Sequence, residues 1–187
     1  MTEAEWLKSD DVLAMLDSLR RVYADAPVWL ERQLHRYFLA CCRRIWSLLP
    51  HEESRRGVEV SERYLADKAT DADVKEVVWY VEGVAFLLDY DSDPAEVERL
   101  VEKARAIPET ERRSVLHPPD SFADLSLREV LKRAAYFAHY ASNYHHMFPR
   151  GNPPTNYVPF LSPTILRETF GNPFAVGDEP TIIDIGS

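Results

Sequence analysis

Between Pro27 and Pro50 the chain runs from Val28 to Leu49 without a glycine or a proline. Nothing in that run breaks a helix; Pro27 stands where a helix can begin and Pro50 where it must stop. Its apolar set is Leu30, Leu34, Tyr37, Phe38, Cys41, Cys42, Ile45, Trp46 and Leu49, with Arg32, Arg36, Arg43 and Arg44 lying among them. Other segments repeat the helical period. Val12, Leu13, Leu16 and Leu19 recur between Asp10 and Tyr23, and Thr2 with Glu5 has capping-box spacing ahead of Trp6 and Leu7. Residues 54–69 read as a more polar helix with Val58, Tyr64 and Leu65 inward. From Asp71 to Tyr90 the inward set is Val74, Val77, Val78, Val81, Val84, Ala85 and Leu88. Trp79, Tyr80, Phe86 and Leu87 make the other faces of that helix apolar too, which predicts a central position.

Asp93-Pro94 supplies an N-cap and a first-turn proline for a helix through Val97, Leu100, Val101 and Ala104 that ends at Pro108. Residues 108–125, with Pro118-Pro119, read as a linker, and Ser126 with Glu129 as a second capping box opening a helix to about Met147. The tail differs. Residues 149–187 hold seven of the 13 prolines but only six charged side chains. One short helix, Pro163 to Phe170, precedes a glycine stop at Gly171, and Thr181–Ile185 has the composition of a short strand with no obvious partner. Tyr157, Val158, Phe160, Leu161, Phe170 and Phe174 would each contribute roughly 1.5–3 kcal/mol on burial, enough to dock this segment. The expected architecture is a single-domain, all-α bundle of about six or seven helices over residues 1–148, with the proline-rich, largely irregular segment 149–187 packed on it.

The formal charge is −9, from 22 Lys and Arg against 31 Asp and Glu, and its distribution is uneven. Residues 50–107 carry 15 acids and eight bases, whereas residues 1–49 and 108–147 are balanced. Such a chain has no bulk attraction to nucleic acid or anionic lipid. The acidic middle is either a solvated face or a docking surface for a basic partner. Arg20-Arg21, Arg43-Arg44, Arg55-Arg56 and Arg112-Arg113 are expected to form salt bridges to that middle. The acidic opening residues, the lack of a membrane-spanning apolar run and two adjacent cysteines in an apolar helix predict a cytoplasmic protein with two buried thiols.

The densest chemistry lies between Tyr136 and Met147. Tyr136, Tyr140 and Tyr144 fall on one helical stripe, and His139, Asn143 and His146 on another. The tyrosines are expected to pack with their hydroxyls at the surface, and the histidines to lie half-exposed near the helix end. His139 and His146 are candidate ligands for a divalent metal, but about 10 Å of helix rise separates them, so a loop or second helix must supply a further ligand. No nucleophile elbow, phosphate-binding glycine loop, dinucleotide fingerprint or His-Glu-x-x-His is present.

Three segments carry a resemblance: Met1–Leu7 (Met-Thr-Glu-Ala-Glu-Trp-Leu), the block Cys41–Pro50 continued by Ser54–Tyr64, and Leu166–Phe174. Together they resemble a family of small uncharacterised planctomycete proteins that read Ala-Cys-Cys-Arg-Arg-Ile-Trp centrally and Phe-Gly-Asn-Pro-Phe near the end. The likeness covers roughly residues 1–67 and 164–176, departs at Ala175 where the family has a basic residue, and implies no activity. The expected function is a non-enzymatic protein-interaction or regulatory module in the bacterial cytoplasm, with Tyr136, Tyr140, Tyr144 and Phe174 as candidate contacts and no cofactor. The alternative is a metal-binding helical bundle or metal-dependent enzyme using His139 and His146.

Overall fold

A computed structural model describes residues 1–144 and 155–175. The first long helix begins at Pro27 as its sequence predicts, but it stops at Arg44; Ile45 turns the chain, and Trp46–Leu48 form a single 3₁₀ turn. The earlier stop places Trp46 beside the guanidinium of Arg43, 4.2 Å from the ring centroid, with Arg55 also over the ring at 5.3 Å.

Nine α-helices lie within the described residues, and no strand is found among them: α1 (Glu3–Lys8), α2 (Val12–Val22), α3 (Pro27–Arg44), α4 (Glu52–Leu65), α5 (Asp71–Tyr90), α6 (Pro94–Arg105), α7 (Glu109–Ser114), α8 (Leu127–Ser142) and α9 (Pro163–Phe170). The fold is an all-α bundle. Its centre is the trio α4, α5 and α8, with α3 lying against α4 and α8, and α9 closing over α3 and α2. Gly57 sits where α4 meets α5 and the end of α8. A methyl group there would fall inside contact distance of Val81 Cγ2 and 2.9 Å from Ser142 Oγ, so α4 meets both neighbours through backbone.

The stretch 108–125 is not a plain linker. It holds α7, a cis His117–Pro118 bond and Leu116 and Phe122, both buried. The predicted capping box at Thr2 forms in full, while at Ser126 only the hydroxyl-to-Glu129 half does. The Glu129 carboxylate turns instead to Lys132 at 2.7 Å and Arg133 at 3.1 Å. The segment Thr155–Phe160 is a 3₁₀ helix against α8; Tyr157, Phe160, Leu161 and Phe170 are buried as expected, Val158 and Phe174 are half-buried, and Leu166 is buried with them. Thr181–Ile185, His145 and His146 lie outside the described residues.

The arginines do more than pair with the acidic middle. Arg43 does grip Glu62 by two nitrogens, at 2.9 and 2.5 Å. Six others donate to backbone carbonyls at helix ends, two of them, Arg32 and Arg128, while also pairing with Asp67 and Asp91: Arg32 to Leu65, Arg44 to Ser114 and Leu116, Arg55 to Trp46 and Leu49, Arg112 to Ala104 and Ile107, Arg128 to Leu88, and Arg167 to Trp6 and Ser9. The last carbonyls of a helix have no partner within it, and a cation there also opposes the negative end of the helix dipole. In a chain with only six glycines, guanidinium groups from neighbouring elements serve where glycine turns often would.

The first and last described helices are locked together. The Trp6 indole donates to the Gly171 carbonyl at 3.1 Å, Asn172 donates to Glu3 at 2.6 Å, and Phe174 meets Trp6 edge-on at 6.3 Å. Gly171 takes the positive φ of 62° expected of a helix stop. Phe174 is half-buried, with its ring against Trp6 of α1.

Candidate functional site

Helix α5 starts with a full capping box, Thr70 with Asp73, and ends where Asp91 takes a left-handed conformation at φ 55°. Its inner stripe, Val77, Val81, Val84, Ala85 and Leu88, is buried against α4 and α8. Central placement is thus correct for that side, but the helix is not covered all round. On the outer side Trp79 is 74% exposed, Tyr80 52%, Phe86 41% and Tyr90 72%. Trp79, Gly83, Phe86 and Tyr90 succeed one another at spacings of four, three and four, which places them in one line along the helix. Gly83 is the low point of that line: a Cβ added there would meet nothing within 4 Å.

This face is held rigidly from behind. Phe86 meets Tyr90 edge-on at 5.6 Å and Tyr136 of α8 at 6.3 Å. Tyr136 stacks on Tyr140 at 6.1 Å, and Tyr140 meets Tyr157 at 5.2 Å. The Tyr136 hydroxyl donates to Asp89 at 2.9 Å; burial, with that carboxylate second, pushes its pKa well above the ordinary phenol value. Lys132 bridges Asp89 at 3.3 Å and Glu129 at 2.7 Å, and Arg128 reaches Asp91 at 3.4 Å, so α8 braces the C-terminal half of α5 with a polar network.

The predicted site residues are distributed as follows. Tyr136 and Tyr140 stand together, half-buried at the edge of the α5 face. Tyr144, two residues past the end of α8 at Ser142, is buried in the bundle and stacked on buried His35 at 5.0 Å. Its hydroxyl is therefore not a surface group. His139 is buried, not half-exposed; Nε2 lies 3.9 Å from Glu82 of α5, and burial holds the imidazole below its usual pKa despite that carboxylate. Phe174 is half-buried on Trp6. Among the described residues no three His, Cys, Asp or Glu side chains converge as metal ligands. Both cysteines are buried, and desolvation pushes the Cys41 thiol up to about 12, which leaves it a core group.

The sequence reading placed Trp79, Tyr80, Phe86 and Leu87 on the faces of a central helix, whereas Trp79, Tyr80 and Phe86 are exposed, and it overlooked Gly83. The signal was present: α5 carries two apolar stripes on opposite sides, the inner one valine-rich and compact, the outer one aromatic around a glycine. A helix buried on every side has no use for a glycine at a position that touches nothing. Comparison with protein-family models, curated proteins and solved structures finds no match to this chain.

Proposed function

We propose that this protein is a non-enzymatic helical module that docks a basic protein partner on the outer face of α5, acting in the bacterial cytoplasm as a member of the planctomycete family it resembles. One observation carries the reading: four large aromatic side chains stand in water along a helix whose other side anchors the bundle. Contiguous exposed apolar surface of this kind marks interaction sites, and Trp and Tyr are the residues that most often anchor them. The charge supports a basic partner. From Asp71 to Asp93 the chain carries seven acids and one base, Lys75, within the acid-rich middle of the sequence. Lys132 and Arg128 offset Asp89 and Asp91 at one end, and the surplus elsewhere attracts a positive surface.

The test is capture from the native host with the wild-type chain and with Trp79→Ser and Tyr90→Ser. Because both side chains project into water, the variants keep the wild-type fold and melting temperature. The expected result is a stoichiometric partner that is lost from both variants and released as salt rises. A partner retained equally by both variants overturns the reading.

A further inference from the structure

Resting on that docking reading, we infer that the partner element is a basic amphipathic helix that seats one large apolar side chain over Gly83. The geometry is that of a helix receiving another helix. Packed helices insert each knob into a hole formed by residues i, i+3, i+4 and i+7 of the facing helix. Trp79, Glu82, Gly83 and Phe86 have that relation, and the missing side chain at Gly83 deepens the hole they frame. Trp79 and Phe86, four residues before and three after Gly83, are exposed on the same line, and Glu82, a third exposed, has one carboxylate oxygen 3.9 Å from His139. The line from Trp79 to Tyr90 runs about 16 Å along the helix axis, the span of three turns of a docked helix.

Charge selects the kind of helix. A second copy of this face would set a stretch of seven acids and one base against the same stretch. A helix bearing Lys or Arg beside its apolar seam meets the surplus acids with opposite charge, and its cations also find exposed aromatic rings.

Three designed helical peptides of about 21 residues, three heptads each, test this. All carry leucine along the seam; the first has lysine flanks, the second glutamate flanks, and the third lysine flanks with alanine at the central seam position. Trp79 emission reports occupancy, with Trp79→Phe as the blank. The lysine peptide is expected to bind and shift the Trp79 emission, weakening as salt rises; the glutamate peptide does not bind, and the alanine version binds about tenfold or more weakly. Gly83→Leu, which fills the hole without touching the fold, weakens the lysine peptide by about tenfold or more while keeping the wild-type melting temperature or raising it. Equal binding of the lysine and glutamate peptides, no binding of the lysine peptide, or unchanged affinity in Gly83→Leu each overturn the proposal. So does a dimer of the protein in sedimentation equilibrium that Gly83→Leu abolishes, because the occupant is then a second copy. If the lysine peptide fails while a native partner is still captured through Trp79, the basic helix is refuted and the docking face stands.

Discussion

Two glycines, Gly57 at the seam of α4 with α5 and Gly83 on the outer face of α5, respond to the same substitution in opposite directions. Gly57→Ala gains about 1 kcal/mol of helix propensity but drives a methyl group against Val81 and Ser142, and overpacking of this kind costs about 1–3 kcal/mol. The surrounding atoms are β-branched side chain and the end of α8, which give little, so we expect a net loss and a melting temperature lower by about 2–4 °C per kcal/mol. Gly83→Ala has no such neighbour and should raise stability by about 0.5–1 kcal/mol. Thermal denaturation of the two variants side by side checks both signs. His139 gives a residue-scale pH effect. Burial holds its folded pKa below the ordinary 6.5, so the neutral ring is what the fold accommodates. The unfolded chain then binds more protons as pH falls below 6.5, and stability, complete above that value, declines toward the depressed folded pKa. His51, half-buried at the start of α4, shifts the same way. Between pH 7 and 5 the wild type should lose stability, and His139→Gln should show a shallower slope whatever its absolute stability.

At the scale of elements, the helix interiors were legible and several of their ends were not. Apolar periodicity located α2, α3, α5, α6 and α8, and side-chain caps at Thr2, Asp93 and Ser126 marked starts, because those signals are local in sequence. The stop of α5 at Tyr90 was legible, and α6 ends at Arg105, three residues before Pro108. The end of α4 at Leu65, short of the expected Ala69, is met by Arg32 from 33 residues away, which no window of sequence around that end contains. The same holds for the α5 face: its aromatic stripe was visible, but whether another helix covers it is a property of the packed bundle. The arginine caps make a distinct prediction. Arg112→Met keeps the aliphatic stem and deletes the bonds to the Ala104 and Ile107 carbonyls at the end of α6. Hydrogen bonds from a charged donor contribute about 1.5–3 kcal/mol each, and some of that is recovered by water at this partly exposed site. A loss of about 1–2 kcal/mol is expected, with amide exchange accelerated at the end of α6, whereas Arg99→Met, which removes only an exposed pair with Glu96, should cost under about 1 kcal/mol.

At the scale of the whole molecule, the bundle separates the work of closing the chain from the work proposed for α5. The sequence blocks at the start and near the end, noticed only as motifs, turn out to face each other: α1 and the turn after α9 share the Trp6–Gly171 bond, the Asn172–Glu3 bond and the Trp6–Phe174 contact. That lock rests on α2 and α3 through α9, while α5 rests on α4 and α8. Trp6 is fully buried, and replacing it by alanine removes a large core side chain, which costs about 3–5 kcal/mol. Gly83 lies in open solvent on the other element. If the two regions share no packing, Trp6→Ala and Gly83→Leu should add in stability within about 0.5 kcal/mol, and Trp6→Ala should leave the affinity for the lysine peptide unchanged at temperatures where it is still folded. A double-mutant cycle read by chemical denaturation and by Trp79 emission measures both quantities. A coupling above about 1 kcal/mol would mean that closing the chain ends also sets the shape of the α5 face, and the lock would then be part of the docking device and not only of the fold.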